Sequence, residues 1–292
     1  MSQYKKIEMS ANYKYANEII RLFESNDIHK QLKALSFVEY HSEEDFLSDL
    51  LFRSKDCFLT QQKHSLLHFF IGMYINNSLS HERYYLLDSL CDDFELDLII
   101  DFFQTLFDYT IDSKKLKFSY INILKKMDAK YVRSDYTIND DYKNCVNKLF
   151  DKFINEFNKV YDDIIESTFF LLYQNKKFLL KFHLFFSELV KEKLLPDNYY
   201  NSQGHVIRKV YLPKWLKNAI FYRDRGRCQI CYKDLTNLIN LIDDKGLHYD
   251  HIVPLENGGT NDSTNYQLLC KKCNELKSGN IVITDYQYQM FW

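Results

Sequence analysis

Proline and glycine are almost missing from the first two thirds of this chain. All three prolines lie at positions 196, 213 and 254, and six of the seven glycines at 204 or later, leaving Gly72 alone before them. Turns that need a fixed or positive φ are therefore scarce over residues 1–195, which excludes a turn-rich β architecture and predicts a mostly helical domain there. Nowhere does the chain reach the ~18–20 apolar residues of a membrane span. Its richest stretch is broken by Asp97 and Asp101. The opening residues Met1-Ser2-Gln3-Tyr4-Lys5-Lys6 lack the apolar core of a signal peptide. A disulfide framework is missing too. Of the seven cysteines, Cys57, Cys91 and Cys145 are scattered without framework spacing and read as small buried hydrophobes. These absences predict a soluble cytoplasmic protein in a reducing compartment, with no membrane partner.

The chain does carry material for a core. Hydrophobic residues make up 46% of its 292 positions, enough for one large domain plus a small one, and wholesale disorder is excluded. Phe and Tyr number 23 each, an excess that an AT-biased coding style explains without a functional role. Apolar residues at helical spacing from Val146 to Ile165 predict one long amphipathic helix. Ser42 followed by Glu43, Glu44 and Asp45 resembles a capped, acidic first turn. Further helices are expected over about 65–75, 82–107 and 176–193, with a polar interhelical loop over 128–141. His64 and His68 stand one helical turn apart, but with no carboxylate or thiolate close by in sequence they read as ordinary surface or core histidines. Phe102, Phe103, Leu106 and Phe107 read as core.

Charge is divided unevenly. Residues 1–200 carry 26 basic and 31 acidic side chains, whereas residues 201–292 carry 12 and 9. Within 205–227 seven cations (Arg208, Lys209, Lys214, Lys217, Arg223, Arg225 and Arg227) face one acid, Asp224. Such a segment suits a phosphate backbone, although charged runs are more often merely solvated faces. Turn signals at Leu195-Pro196-Asp197-Asn198 and Asn201-Ser202-Gln203-Gly204 mark the change of character. The expected division is thus a helical domain over 1–195 and a second domain over 205–292. Pro213 then opens a short amphipathic helix that ends near Gly226.

Two identical knuckles follow, Cys228-Gln229-Ile230-Cys231 and Cys270-Lys271-Lys272-Cys273, separated by 38 residues. Four thiolates from two segments suit one tetrahedral zinc, and a closed set of four thiolates leaves no position for water, so the metal is architectural. Between the knuckles lie Asp250-His251, Gly258-Gly259 and Asn265.

From Arg223 onward the chain resembles the HNH endonuclease family, whose fold is the ββα-metal motif. The matching pieces are Arg223-Asp224 with the first knuckle, Leu247-His248-Tyr249-Asp250-His251-Ile252-Val253-Pro254-Leu255, Asn257-Gly258-Gly259-Thr260, Asn265 to Cys270, and Cys273-Asn274-Glu275-Leu276-Lys277. They cover roughly residues 212–280. Joined to the helix signals before residue 195, the resemblance gives the expected fold, a mainly α protein: a large N-terminal helical domain followed by a small zinc-stabilised ββα-metal domain. His251, whose ordinary pKa of about 6.5 suits proton transfer near neutral pH, takes the general-base role. Asp250 and Asn274 would hold one Mg2+- or Mn2+-like ion through hard oxygens. Many members carry His where this chain has Asn274, which leaves the ion preference open. Asn265 is expected to hold the base-bearing loop.

Lys214, Lys217, Arg223, Arg225, Arg227, Lys271, Lys272 and Lys277 are the candidate phosphate contacts. His248, two residues from Asp250, would share its strand face. Glu256 and Asp262 read as loop residues beside the glycine turn, so one ion is expected rather than a two-metal clamp. The expected function is a metal-dependent DNA endonuclease with a role in restriction or anti-phage defence. Its helical domain would select targets, dock a protein partner or form a homo-oligomer. An RNA-directed nuclease, a partner-activated nuclease and a non-catalytic zinc-dependent nucleic-acid-binding module stand as alternatives.

Overall fold

The structure, a computed structural model, describes residues 11–24, 43–92, 161–236 and 246–277, with isolated positions between 122 and 158 and at 282. Its helices are α1 (Ala11–Glu24), α2 (Glu43–Leu59), α3 (Leu66–Asp92), α4 (Tyr161–Gln174), α5 (Lys176–Lys191), α6 (Lys214–Arg223) and α7 (Lys271–Lys277). Strands β1 (His248–His251) and β2 (Tyr266–Leu269) form a two-stranded antiparallel sheet. The protein is mainly helical with a small sheet in its C-terminal part. None of the described helices is long and apolar enough to cross a membrane.

Helix α3 corrects one expectation, since it runs unbroken through Asn76-Asn77-Ser78 where two helices were expected. Those residues interrupt the apolar stripe, but without Pro or Gly they do not break the backbone ladder. The stripe from Val146 is described continuously only from Tyr161 onward, as part of α4. Residues 102–107, 128–141 and Cys145 lie outside the described residues.

Two compact units are present, one of Met1–Ile19, His29–Asp45 and Ile71–Thr168, the other of Ile20–Ile28, Phe46–Phe70 and Phe169–Trp292. In the first, the Tyr161 hydroxyl donates to the Gly72 carbonyl oxygen at 2.7 Å. The second holds the sheet together with helical segments 46–70 and 169–191, so the change of character near 195–205 falls inside it.

Phenylalanine supplies much of this second unit's core. Phe23 stacks edge-on to Phe70 and Phe178, with ring centroids 5.3 and 5.4 Å away. Phe182 and Phe186 continue the cluster from α5, where Asn175 caps the helix by accepting the Phe178 N–H. Such pairs add about 0.5–1.5 kcal/mol each beyond area burial, which gives the aromatic excess a structural use. A second core lies beneath the sheet: Leu216 and Ile220 of α6 pack with Leu235, Tyr266, Leu268, Leu269 and three knuckle cysteines, Cys228, Cys270 and Cys273.

Between the strands the chain turns at Gly258, whose φ is 83°. At Gly259 a Cβ would meet the Val253 carbonyl oxygen at 1.9 Å, so neither position accepts a side chain without rebuilding the turn. The following loop, residues 260–265, is almost wholly buried and polar. Asn261 N–H donates to the Phe58 carbonyl at 3.0 Å, Leu66 N–H to Asp262 Oδ2 at 2.8 Å, and the Ser263 hydroxyl to the Gln62 carbonyl at 2.8 Å. His183 Nε2 lies 2.8 Å from Thr264 Oγ1. Asp262 thus caps α3 from 196 positions away in sequence. Replacing Asp262 by Ala leaves that N–H and the Thr264 donors unsatisfied and is expected to cost about 2–3 kcal/mol in a urea melt. Asp262→Asn, which keeps an acceptor oxygen, should lose less than half as much.

Candidate active site

The two knuckles converge. Sγ atoms of Cys228, Cys231, Cys270 and Cys273 all lie within 4.8 Å of one another. Cys231 and Cys270 approach to 3.7 Å, close to the ~3.8 Å edge of a tetrahedron with Zn–S bonds of about 2.3 Å. Burial pushes the Cys228 thiol up, but N–H donors of Cys231, Cys270 and Ile230 outweigh it and leave the pKa below its ordinary value. Burial raises the Cys231 and Cys273 thiols instead, so the thiolate form across the cluster needs a bound cation. The cluster is compatible with zinc binding.

Strand β1 carries the remaining candidates. Its register pairs His248 with Leu269, Asp250 with Gln267 and His251 with Tyr266. Alternation places His248 and Asp250 on one face and turns His251 to the other. Helix α7 lies along the first face: Asn274 Nδ2 is 3.4 Å from His248 Nδ1, while Lys277 Nζ donates to Asp250 Oδ2 at 2.5 Å and to the His251 carbonyl. Asn274 therefore meets His248, which shares its strand face with Asp250. Carboxylate, amide and imidazole are donors that suit a hard divalent ion. The group fits such an ion in kind, with Lys277 engaging one oxygen of Asp250.

His251 is buried, and its Nε2 has no hydrogen-bond partner among the described residues. The ring leans on Tyr266, with centroids 4.4 Å apart. Burial above all, then the charges of Arg208 and Lys277, lower its pKa to about 3, with the Asn261 side chain acting in the opposite direction. The imidazole is thus neutral at pH 7, with a nitrogen unused by the fold. Asn265 holds the chain beside it. Its Oδ1 accepts the Val253 N–H at 2.9 Å, its Nδ2 donates to the carbonyls of Val253 and Thr260, and its own carbonyl accepts the Ile252 N–H at 2.7 Å.

The expected phosphate contacts separate into two groups. Lys214, Arg225, Lys271 and Lys272 are exposed, and Lys217 and Arg227 partly so. Arg223 and Lys277 depart from expectation because both are buried with their charge directed inward. Arg223 pairs with Asp224 at 2.8 Å, donates to the Tyr266 carbonyl and lies over the Tyr173 ring at 4.8 Å. Asp224 in turn accepts the Leu268 N–H at 2.7 Å, tying α6 to β2. Lys176 also reaches in, donating to Gln229 between the first two cysteines. Asn261, Asp262 and this inward pairing carried no signal in the sequence, because their partners are brought together only by folding.

The HNH endonuclease family model matches residues 228–282. No curated protein and no solved structure gives a significant match to the chain. The matched region spans both knuckles, Asp250-His251, Asn265 and Asn274, and supports a nuclease of the HNH type acting on nucleic acid with a divalent metal.

Two measurements test the structural assignments. Cys228→Ser should lower zinc content in elemental analysis and reduce the melting temperature, while His251→Ala keeps the zinc of the wild type. Arg223→Ala leaves Asp224 as an uncompensated buried charge and should cost about 3–5 kcal/mol in denaturant melts. Lys214→Ala on the exposed face should change stability by no more than about 0.5 kcal/mol.

Proposed function

We propose that this protein is a metal-dependent endonuclease that hydrolyses phosphodiester bonds in DNA, with His251 as general base. The observation that carries the reading is the buried, neutral imidazole of His251. Its Nε2 is unpartnered, and it stands on the strand that holds Asp250, inside the region that matches the HNH family.

In this reading His251 Nε2 takes a proton from water as the oxygen attacks phosphorus. The P–O3′ bond breaks, leaving a 5′-phosphate and a 3′-hydroxyl. A Mg2+- or Mn2+-like ion held by Asp250 and Asn274 would neutralise charge on the phosphate and the leaving 3′ oxygen. Asn265 fixes the backbone that follows His251, so the ring keeps one orientation. Lys277 holds Asp250 and the His251 carbonyl in register. An approaching phosphodiester brings negative charge beside the imidazole, which raises its pKa toward working pH and makes it a stronger acceptor. The zinc on Cys228, Cys231, Cys270 and Cys273 fastens the ends of the motif and takes no part in proton transfer.

DNA is preferred over RNA as the reading from the family, with Lys214, Lys217, Arg225, Arg227 and Lys271 as backbone contacts. The helical residues 1–195 would select the target, dock a partner or mediate self-association, and a cytoplasmic defence role suits that arrangement.

The test is plasmid cleavage by the purified full chain with Mg2+ or Mn2+. His251→Ala should slow cutting by about 10²–10⁴-fold, the range of one proton-transfer group, with zinc content unchanged. Wild-type cutting by that variant would remove His251 from the role. Salt-sensitive binding with no cleavage under either ion would favour a binding module, and faster cutting of a matched RNA duplex would reassign the substrate.

A further inference from the structure

The imidazole of the candidate base rests on an aromatic ring that is anchored from outside the matched region. His251 and Tyr266 stand opposite each other on β1 and β2. Their ring centroids are 4.4 Å apart, with 36° between the planes. The last torsion of a histidine is broad and roughly two-fold, so the ring turns unless something holds it. Asn265 and Lys277 bond the backbone of residues 251–253, which places the strand but leaves that torsion unset. Nε2 has no hydrogen-bond partner among the described residues. The face of Tyr266 is what bears on the ring itself.

Tyr266 is buried, at 1% exposure. A phenylalanine would fill the same space without carrying a hydroxyl into the interior, where it costs free energy unless bonded. Here the hydroxyl is met. Gln61 Nε2 donates to it at 2.8 Å from 205 positions away, and Asn261 Oδ1 lies 3.5 Å from it. Gln61 belongs to the connection between α2 and α3. Asn261 is tied to the same place, since its N–H donates to the Phe58 carbonyl near the end of α2. At the other end of the residue, Arg223 donates to the Tyr266 carbonyl. Held at its backbone and at its tip, the ring cannot rock without breaking a buried hydrogen bond.

We propose that Tyr266 is a positioning residue for His251: its face sets the orientation of the imidazole, and Gln61 locks that face through the hydroxyl. This rests on the nuclease reading. Gln61 lies outside residues 228–282, so the helical part of the chain contributes to the geometry of the base.

The experiment uses the full-length protein in two arms. Plasmid cleavage with Mg2+ or Mn2+, below the melting temperature of every variant, gives kcat and KM separately. Tyr266→Leu removes the face and should lower kcat about 10²-fold, the cost of misplacing a reacting group by roughly 1 Å. Tyr266→Phe and Gln61→Ala keep the ring and should lower kcat roughly three- to tenfold, with KM within about twofold of wild type. The double variant Gln61→Ala with Tyr266→Phe should be no slower than the slower single one, because both remove one contact. The second arm records NMR spectra of histidine-labelled protein, the His251 signal being the one lost in His251→Ala. That signal should move in Gln61→Ala and move further in Tyr266→Leu, since the ring current of Tyr266 acts on it. Wild-type kcat in both Gln61→Ala and Tyr266→Phe, a loss confined to KM, or an unmoved His251 signal would each overturn the proposal and leave the nuclease reading intact. Should Tyr266→Leu fail to fold, Gln61→Ala and Tyr266→Phe decide the matter. A wild type that cuts neither plasmid nor RNA would bring down the nuclease reading, and the positioning role with it.

Discussion

The buried polar loop at residues 260–265 is the constraint on which the rest of this unit depends. A loop placed inside a protein must satisfy each backbone and side-chain polar group or lose the desolvation energy of every orphan. Here Asn261, Asp262, Ser263 and Thr264 bond to residues 58, 66, 62 and 183, and Asn265 bonds back to 252, 253 and 260. The same six residues therefore join the helices to the strand that bears Asp250 and His251. In the low dielectric of the interior such a network holds one arrangement far better than an apolar contact of similar area, since any slip leaves a group unpaired.

A motif this small needs outside support, because a short hairpin and one helix bury too little apolar surface to be stable alone. Two supports are visible. The four-cysteine cluster brings the ends of the motif together, and Leu216 and Ile220 of α6 seal the back of the sheet. Beyond that, the phenylalanine cluster of α1, α3 and α5 stiffens the helices on which the polar loop is seated.

Three ion pairs differ in exposure and hence in meaning. Arg223–Asp224 is buried and bonds two elements together, so it belongs to the scaffold. Lys277–Asp250 has a buried ammonium and a carboxylate that is 22% exposed, a geometry that orients an acid while keeping it reachable. Arg208–Glu256 is open to solvent and separable. Opposite charges at comparable distance thus grade from structural to available, and burial rather than distance sets the difference.

The amino-acid sequence alone marked out the candidate chemistry. Four cysteines in two knuckles, an Asp-His pair and a glycine turn single out candidate ligands, base and loop, because metal binding and proton transfer require particular atoms at short spacings. Scarcity of Pro and Gly likewise made the N-terminal helices legible. What only the tertiary structure decided is which polar and charged groups face inward. Arg223 and Lys277 resemble their exposed neighbours in composition, yet fold against Asp224 and Asp250. Asp262, seemingly a loop acid, caps a helix 196 residues earlier. Such roles depend on partners distant along the chain, and local spacing carries no trace of them because side-chain burial is settled by packing.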